Sequence, residues 1–263
     1  EYMLSAADAI EIKLREYKPA VVMAASNHVT GLPALIAARR TGLPFIYEIR
    51  GLWEITRMSR DNGFQDKAAF HVQKILEASV ANRAEIVFTL TEGMRQELIE
   101  RGVDQQKIAL LPNCCDPNRF HPIEKDKILA NSLGIPETAP VIGYVGTFVD
   151  YEGLEDLAEA CGLLKNRGIE FRLLLVGNEN ASGQDRGQIS TLIAQVAANF
   201  DFTDWLIMPG RVPYEEVERY YSLIDIAPFP RKPWPVCEMV SPMKPLEALA
   251  MQKAVVVSSV QAL

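Results

Sequence analysis

Short apolar runs alternate with segments of helical periodicity along the whole chain. From Tyr2 to Tyr17 the apolar side chains recur at intervals of three and four, the spacing of one helical face. Ala20 to Ala25 is a continuous apolar run, typical of a strand buried on both faces of a parallel sheet. We predict further strands at 45–49, 85–89, 107–111, 141–145, 171–176, 205–209, 224–228 and 254–258. Because no hairpin signal separates consecutive runs, the pattern predicts α/β structure with doubly wound parallel sheets.

A segment rich in Pro, Asn and Asp lies between residues 112 and 140 and contains one short predicted helix. A length of 263 residues is sufficient for two α/β cores. We therefore predict two Rossmann-like domains, at 1–115 and 141–263, joined by a linker at 116–140. Both ends of the chain are expected to cut through a domain, so the first domain is incomplete and the second lacks its last elements.

The composition disfavours proteins that bind nucleic acid, span a membrane or hold a zinc ion. A content of 48% hydrophobic and 23% charged residues is typical of a globular protein, and a net charge of −7 disfavours nucleic acid as a partner. No apolar run approaches the roughly 20 residues that span a bilayer, so a cytoplasmic location is expected. The four cysteines lack zinc-site spacing. Adjacent Cys114 and Cys115 allow a strained vicinal disulfide, but two buried thiols are the favoured interpretation.

Glycines follow two of the predicted strands in the second half. Gly146 and Thr147 come directly after the run at 141–145, and Gly177 follows the run at 171–176. Ligands of doubly wound sheets bind beyond the carboxyl ends of the strands, and glycine lets backbone N–H groups approach an anion. These residues are therefore candidates for phosphate binding, although a tight turn without a ligand explains each glycine equally well.

Three cations surround the start of a predicted helix at 244–251. Lys244 opens this helix, where positive charge is unfavourable unless an anion binds beside it, and Arg231 and Lys232 stand in the preceding loop. Such a cluster suits a diphosphate, and Glu247 is placed to accept the hydroxyls of a ribose. The competing interpretation is that the cations are solvated loop charges and Glu247 is a surface residue.

Several segments, taken in chain order, resemble glycosyltransferase family 4. The matching segments are 90–94, 111–120, 142–154, 208–213, 224–230 and 241–258. The segment Tyr47 to Trp53 resembles an Arg-x-Leu-Trp motif of members that build bacterial surface polysaccharides. The resemblance implies the GT-B fold, with an acceptor-side domain first and a nucleotide-sugar donor domain second. It also implies that complete members are longer at both ends.

The resemblance implies roles for individual residues. Arg231, Lys232 and Lys244 would hold the diphosphate and Glu247 the ribose. The family's Glu-x7-Glu pattern is displaced, because Met239 stands eight residues before Glu247 and Glu238 is one position out of register.

Two further points concern an acidic residue in the predicted phosphate site and the candidate catalytic residues. Glu152 occupies the position where the family commonly has a phosphate-binding lysine. Glu238, His28 and Arg50 are the catalytic candidates, together with the neighbouring Asn27, although a purely structural hydrogen bond to backbone would also explain His28.

The resulting hypothesis is a retaining hexosyltransferase that moves a sugar from a nucleotide-diphosphate donor to a glycan or lipid-linked acceptor. No metal or other cofactor is expected. Peripheral association with the inner face of the membrane, and an oligomer formed through the incomplete first domain, are compatible with it. The alternatives are a catalytically inactive nucleotide-sugar binding module, or an epimerase or phosphorylase relative of the same fold.

Overall fold

The chain folds into two compact units, each built on its own parallel sheet. The structure is a computed structural model that describes residues 1–61, 63–179 and 187–263. The first unit comprises Glu1–Asn113, Trp234–Ser241 and Ala262. The second comprises Cys114–Pro233, Pro242–Gln261 and Leu263. Strand–helix alternation with parallel sheets was the prediction for the fold class, and the structure confirms it.

The first unit contains a four-stranded sheet in the order β1-β2-β3-β4, with every pair parallel. Its strands are β1 (Val22–Ala25), β2 (Phe45–Ile49), β3 (Ile86–Thr89) and β4 (Ile108–Leu110). Its helices are α1 (Tyr2–Tyr17), α2 (His28–Thr41), α3 (Trp53–Met58), α4 (Ala68–Asn82), α5 (Glu92–Glu100) and α10 (Pro235–Met239). Since the strands follow chain order, the described part of this sheet has no reversal of winding direction.

Local sequence explains where the helices of the first unit begin. Thr91 caps α5, its hydroxyl accepting a hydrogen bond from the N–H of Met94 at 3.2 Å, as the sequence predicted. Asn27 caps α2 through the N–H of Val29 at 3.1 Å, so this helix begins two residues before the expected Thr30. On the same helix, a Cβ at Gly31 would lie 2.6 Å from the ring of Tyr47, so α2 approaches the sheet closely there.

The second unit contains a five-stranded parallel sheet in the order β7-β6-β5-β8-β9. Its strands are β5 (Val141–Val145), β6 (Arg172–Val176), β7 (Leu206–Gly210), β8 (Ile226–Phe229) and β9 (Ala254–Val257). Its helices are α6 (Lys127–Ser132), α7 (Leu154–Asn166), α8 (Gln188–Asn199), α9 (Val217–Leu223) and α11 (Lys244–Ala250). The chain winds outward from central β5 and then returns to its other side, which is the doubly wound order with a switch point between β5 and β8.

The segment 116–140, predicted as a linker, belongs to the second unit. Phe120, Leu129 and Ile135 belong to that unit's hydrophobic core. The prediction of two buried thiols at its start is wrong for Cys114, which is exposed, whereas Cys115 is half-buried. All four cysteines are free, so the vicinal disulfide is not formed.

Among the described residues, no helix has the length and apolar character needed to cross a bilayer. The same part of the chain holds no cluster of three or more His, Cys, Asp and Glu side chains suited to a metal ion.

Candidate functional site

A pocket of about 320 Å³ lies at the carboxyl edge of the second sheet. The loops that follow β5, β6 and β7 form its walls, as expected for a ligand site of a doubly wound sheet. Its lining residues are Val145, Gly146, Thr147, Val176, Gly177, Asn178, Arg211, Val212, Tyr214 and Val217. The structure thus brings together Gly146, Thr147 and Gly177, which the sequence had nominated separately.

The two glycines of this pocket are required by close contacts. Gly177 has φ of 129°, and a Cβ there would lie 1.9 Å from the carbonyl oxygen of Gly146. Gly146 has φ of 152°, and a Cβ there would lie 2.2 Å from Cε of Lys244. The backbones of the two turns therefore touch each other, and the side chain of Lys244 lies directly against the first turn.

Lys244, the first residue of α11, is held by two groups of the second unit. Its Nζ donates to Glu152 Oε1 at 3.2 Å and lies 5.4 Å from the ring centroid of Tyr144. Burial, followed by the charge of Glu152, raises the pKa of Tyr144 well above its ordinary value, so this phenol stays neutral. Lys244 therefore presents a positive charge beside the Gly146 turn.

Arg231 shares the same carboxylate. Its Nε lies 3.7 Å from Glu152 Oε1, and the residue is only 4% exposed. Glu152 itself is 2% exposed, so the residue at the family's lysine position is a buried acid placed between two cations.

Lys232 points to a different carboxylate. Its Nζ forms an ion pair with Glu155 in the first turn of α7, while its backbone N–H donates to the carbonyl of Tyr151 at 2.9 Å. Burial opposes its charge, yet the hydrogen bond to Glu155 raises the pKa of Lys232 overall. The predicted cluster of three cations is therefore divided, with Arg231 and Lys244 on Glu152 and Lys232 on Glu155.

Glu247 is half-buried, one turn into α11, and accepts a hydrogen bond from Tyr221 at 3.1 Å. Burial raises its pKa; the hydrogen bond from Tyr221 and the charges of Lys244 and Arg119 only partly offset this. The carboxylate is partly exposed, so a ligand's hydroxyl groups could donate hydrogen bonds to it.

Sequence reasoning nominated neither Arg211, which lines the pocket, nor Arg119, which contacts the lining residue Tyr214. The guanidinium of Arg119 lies 3.3 Å from the ring centroid of Tyr214, donates to the carbonyl of Tyr214 and pairs with Glu218. Arg211 follows β7 and lines the pocket. The rule that ligands bind beyond strand ends pointed to the loop of Arg211, whereas Arg119 stood in the predicted linker, where no rule assigned it a role.

His28 is at the start of α2 in the first unit and is 9% exposed. Its backbone N–H donates to Glu77 Oε2 at 2.8 Å, and its Nδ1 lies 3.5 Å from the same oxygen. Glu77 also accepts from the hydroxyl of Tyr47 at 2.6 Å, and burial together with this charge strongly raises the pKa of Tyr47. Glu77 therefore fixes His28, a contact that the sequence did not reveal.

The other catalytic candidates also lie in the first unit. Arg50 follows β2 with 59% of its side chain exposed, and its Nε lies 3.4 Å from Glu48 Oε2. Glu238 is half-buried in α10, which packs against α3 and α5. A pocket of about 370 Å³ in this unit is lined by Trp53, Thr56, Arg57, Arg60, Asp61 and Gln73.

Comparison with known proteins agrees with this architecture. The model of the glycosyl transferase 4-like domain matches residues 1–114, and that of the glycosyl transferases group 1 matches residues 139–263. The 2-deoxystreptamine glucosyltransferase of Streptomyces kanamyceticus is 27% identical over 230 residues, which are 83% of this chain and 56% of that protein.

Solved structures share the fold. Sucrose-phosphate synthase from Thermosynechococcus elongatus superposes with a TM-score of 0.74 at 18% identity, over 97% of this chain and 59% of that one. HepE from Anabaena in complex with UDP-glucose superposes with a TM-score of 0.73 at 15% identity, over 97% of this chain and 64% of that one.

The fold is therefore GT-B. The chain belongs to the glycosyltransferases that combine a 4-like domain with a group 1 domain, which confirms the family resemblance seen in the sequence. It spans about half the length of the relatives it matches.

Proposed function

We propose that the protein is a retaining hexosyltransferase that uses a nucleotide-diphosphate sugar as donor. The observation that carries this proposal is the meeting of the Gly146 and Gly177 turns with Lys244 at the edge of one pocket. Backbone without side chains and an adjacent ammonium group are the elements that a diphosphate requires. The complex of the structural neighbour HepE with UDP-glucose supports the same class of donor.

Within the pocket, we assign the diphosphate to Gly146, Thr147 and Lys244. Buried Arg231 contributes a further positive charge. The nucleoside lies along Gly177, Asn178 and the wall formed by Arg211 and Tyr214, while Glu247 accepts the ribose hydroxyls. A pocket of about 320 Å³ falls at the lower end of the range for small-molecule sites.

Sugar transfer leaves negative charge on the departing nucleoside diphosphate. A preorganised cation beside that group stabilises the transition state more than the ground state. We propose that Lys244 supplies this charge in place of a metal ion. Glu238, His28 and Arg50 are proposed to act on the transferred sugar and the acceptor, and Lys232 is given a minor role because Glu155 already neutralises it.

The acceptor is proposed to be a glycan or a lipid-linked saccharide of bacterial surface polysaccharide synthesis, handled at the inner face of the membrane. The support is the Arg-x-Leu-Trp motif, whose Trp53 is 61% exposed and lines the pocket of the first unit. An exposed indole next to arginines suits a saccharide that carries phosphate.

The first prediction tests the diphosphate assignment through Lys244→Ala. Loss of one charge-assisted hydrogen bond costs about 1.5–3 kcal/mol, so nucleoside diphosphate affinity should fall by roughly ten- to a hundredfold. Affinity for the bare nucleoside should change little. Calorimetry with UDP, GDP, ADP and TDP, each compared with its nucleoside, measures both.

Lys127→Ala is the matched control, since Lys127 is an exposed lysine of the same unit that pairs with exposed Glu137. Equal affinities for Lys244→Ala and the parent would refute the assignment. Donor binding without sugar hydrolysis or transfer would instead indicate a binding module, and change of the sugar's configuration without transfer would indicate an epimerase.

A further inference from the structure

Glu152 lies in the turn between β5 and α7, immediately before Gly153, which caps that helix. Its Oε1 is 3.2 Å from Lys244 Nζ and 3.7 Å from Arg231 Nε. The side chain of Glu152 is 3% exposed and that of Arg231 is 4% exposed, so this contact lies inside the protein. Water screens such charges weakly, and their interactions are correspondingly strong.

This carboxylate changes the charge that the pocket offers to a ligand. Lys244 and Arg231 alone would carry two positive charges, whereas the trio with Glu152 carries one. The nearby Lys232 adds none, because Glu155 compensates it. An anion that binds at Lys244 therefore competes with a buried carboxylate that is already in place.

We propose that Glu152 is an internal counter-ion of the donor site, a positioning residue that holds Lys244 against the Gly146 turn and weakens the binding of nucleoside diphosphate. The inference rests on the proposed function, since it assigns the pocket to a diphosphate. Nucleoside diphosphate is also the product of sugar transfer. A carboxylate that reduces its affinity favours its release, at the cost of some donor affinity.

A purely structural ion pair makes the opposite prediction. If Glu152 only supports the fold, its neutralisation should loosen the side chains of Lys244 and Arg231. The affinity of the pocket for every ligand should then fall. If it acts as a counter-ion, neutralisation should strengthen the binding of the diphosphate group and leave the nucleoside group unaffected. The comparison of diphosphate with nucleoside therefore separates the two roles.

The second prediction concerns Glu152→Gln, which keeps the shape and removes the charge. We expect nucleoside diphosphate to bind about tenfold more tightly, because the charge that competes with the diphosphate for Lys244 is removed from a poorly screened site. The nucleoside should bind within about twofold of the parent value. Calorimetry with UDP, GDP, ADP and TDP, each beside its nucleoside, gives both numbers.

Glu159→Gln is the matched control, because Glu159 is an exposed residue of the same helix region and its loss changes the net charge equally. It should leave both affinities unchanged. In a Lys244→Ala background the effect of Glu152→Gln should shrink, since Glu152 is proposed to act through that lysine.

Unchanged or weaker diphosphate binding by Glu152→Gln, while the parent binds, overturns the inference and leaves the proposed function intact. A parent that binds none of the four nucleoside diphosphates overturns both. Should Glu152→Gln not fold, Glu152→Asp takes its place. Its shorter carboxylate retreats from Lys244 and should tighten diphosphate binding by a smaller factor, and equal or weaker binding again overturns the inference.

Discussion

Burial of the Glu247 carboxylate lowers the stability of the fold, and the same carboxylate is proposed to bind the ribose. The effect on stability depends on pH, which allows the two to be measured separately. Burial raises the pKa of Glu247 above the ordinary 4.5, so the folded protein favours the protonated form. The stability that this group contributes is fully present below the unfolded pKa and is lost as the pH rises through the folded value. The ionised carboxylate therefore weakens the ligand-free fold at neutral pH.

The third prediction follows from this sign. Glu247→Gln should raise the melting temperature of the ligand-free protein at pH 7.5 by up to about 3 °C, and the gain should vanish as the pH approaches 4. The same variant should lose affinity for nucleoside and nucleoside diphosphate alike, because both contain the ribose. Glu159→Gln again serves as control, and a destabilised Glu247→Gln variant at neutral pH would contradict the argument.

The sequence could predict single residues only where a local rule applied. Gly146, Gly177 and Lys244 were found because each stands at a strand end or a helix start. Glu152 and Arg119 contact partners that lie 92 and 99 residues away in the chain, Lys244 and Glu218. No local pattern encodes such contacts, so these residues became visible only in the folded chain.

At the scale of elements, the buried strands could be predicted to within about two residues, because parallel strands covered on both faces are continuous apolar runs. Val141–Val145 matches the prediction fully, and each of its residues is buried. The helices α3 and α10 were not predicted. They have six and five residues, too few to establish helical periodicity, and α10 lies in a proline-rich loop.

The contact between the β5 and β6 turns gives the fourth prediction. Gly177→Ala places a Cβ 1.9 Å from the carbonyl oxygen of Gly146, at a φ of 129° that other residues rarely adopt. We expect a loss of about 2–4 kcal/mol in the stability of the second unit and a marked loss of nucleotide affinity. Urea unfolding followed through the second unit's Trp205 and calorimetry provide the measurements.

Gly168→Ala is the matched control for that change. Gly168 has φ of 73° in the same unit, but a Cβ there meets no atom within 4 Å. Gly168→Ala should therefore lose stability only through the unfavourable backbone conformation, by about 1 kcal/mol. Equal stability losses in the two variants would show that the backbone contact between the turns has no energetic importance.

At the scale of the whole molecule, the distribution of charge matters more for nucleotide binding than the net charge does. The chain has a net charge of −7, which by itself repels nucleotides. Several of its cations are nevertheless grouped around the edge of the second sheet, where Lys244 and Arg231 share one carboxylate. Net charge disfavours nucleic acid as a partner class, but only the folded chain shows where the local positive charge lies.

The fifth prediction is that this local charge replaces a metal ion. Excess EDTA should leave the affinity for nucleoside diphosphate within about threefold of its value in Mg²⁺, because Lys244 is proposed to supply the positive charge that a metal ion would otherwise provide. Calorimetry in the two buffers measures the difference, and titration of the bare nucleoside in both controls for effects on the fold. A loss of more than about tenfold in EDTA, restored by Mg²⁺ or Mn²⁺, would show that the donor binds as a metal complex. The chain's cations would then be insufficient for the diphosphate.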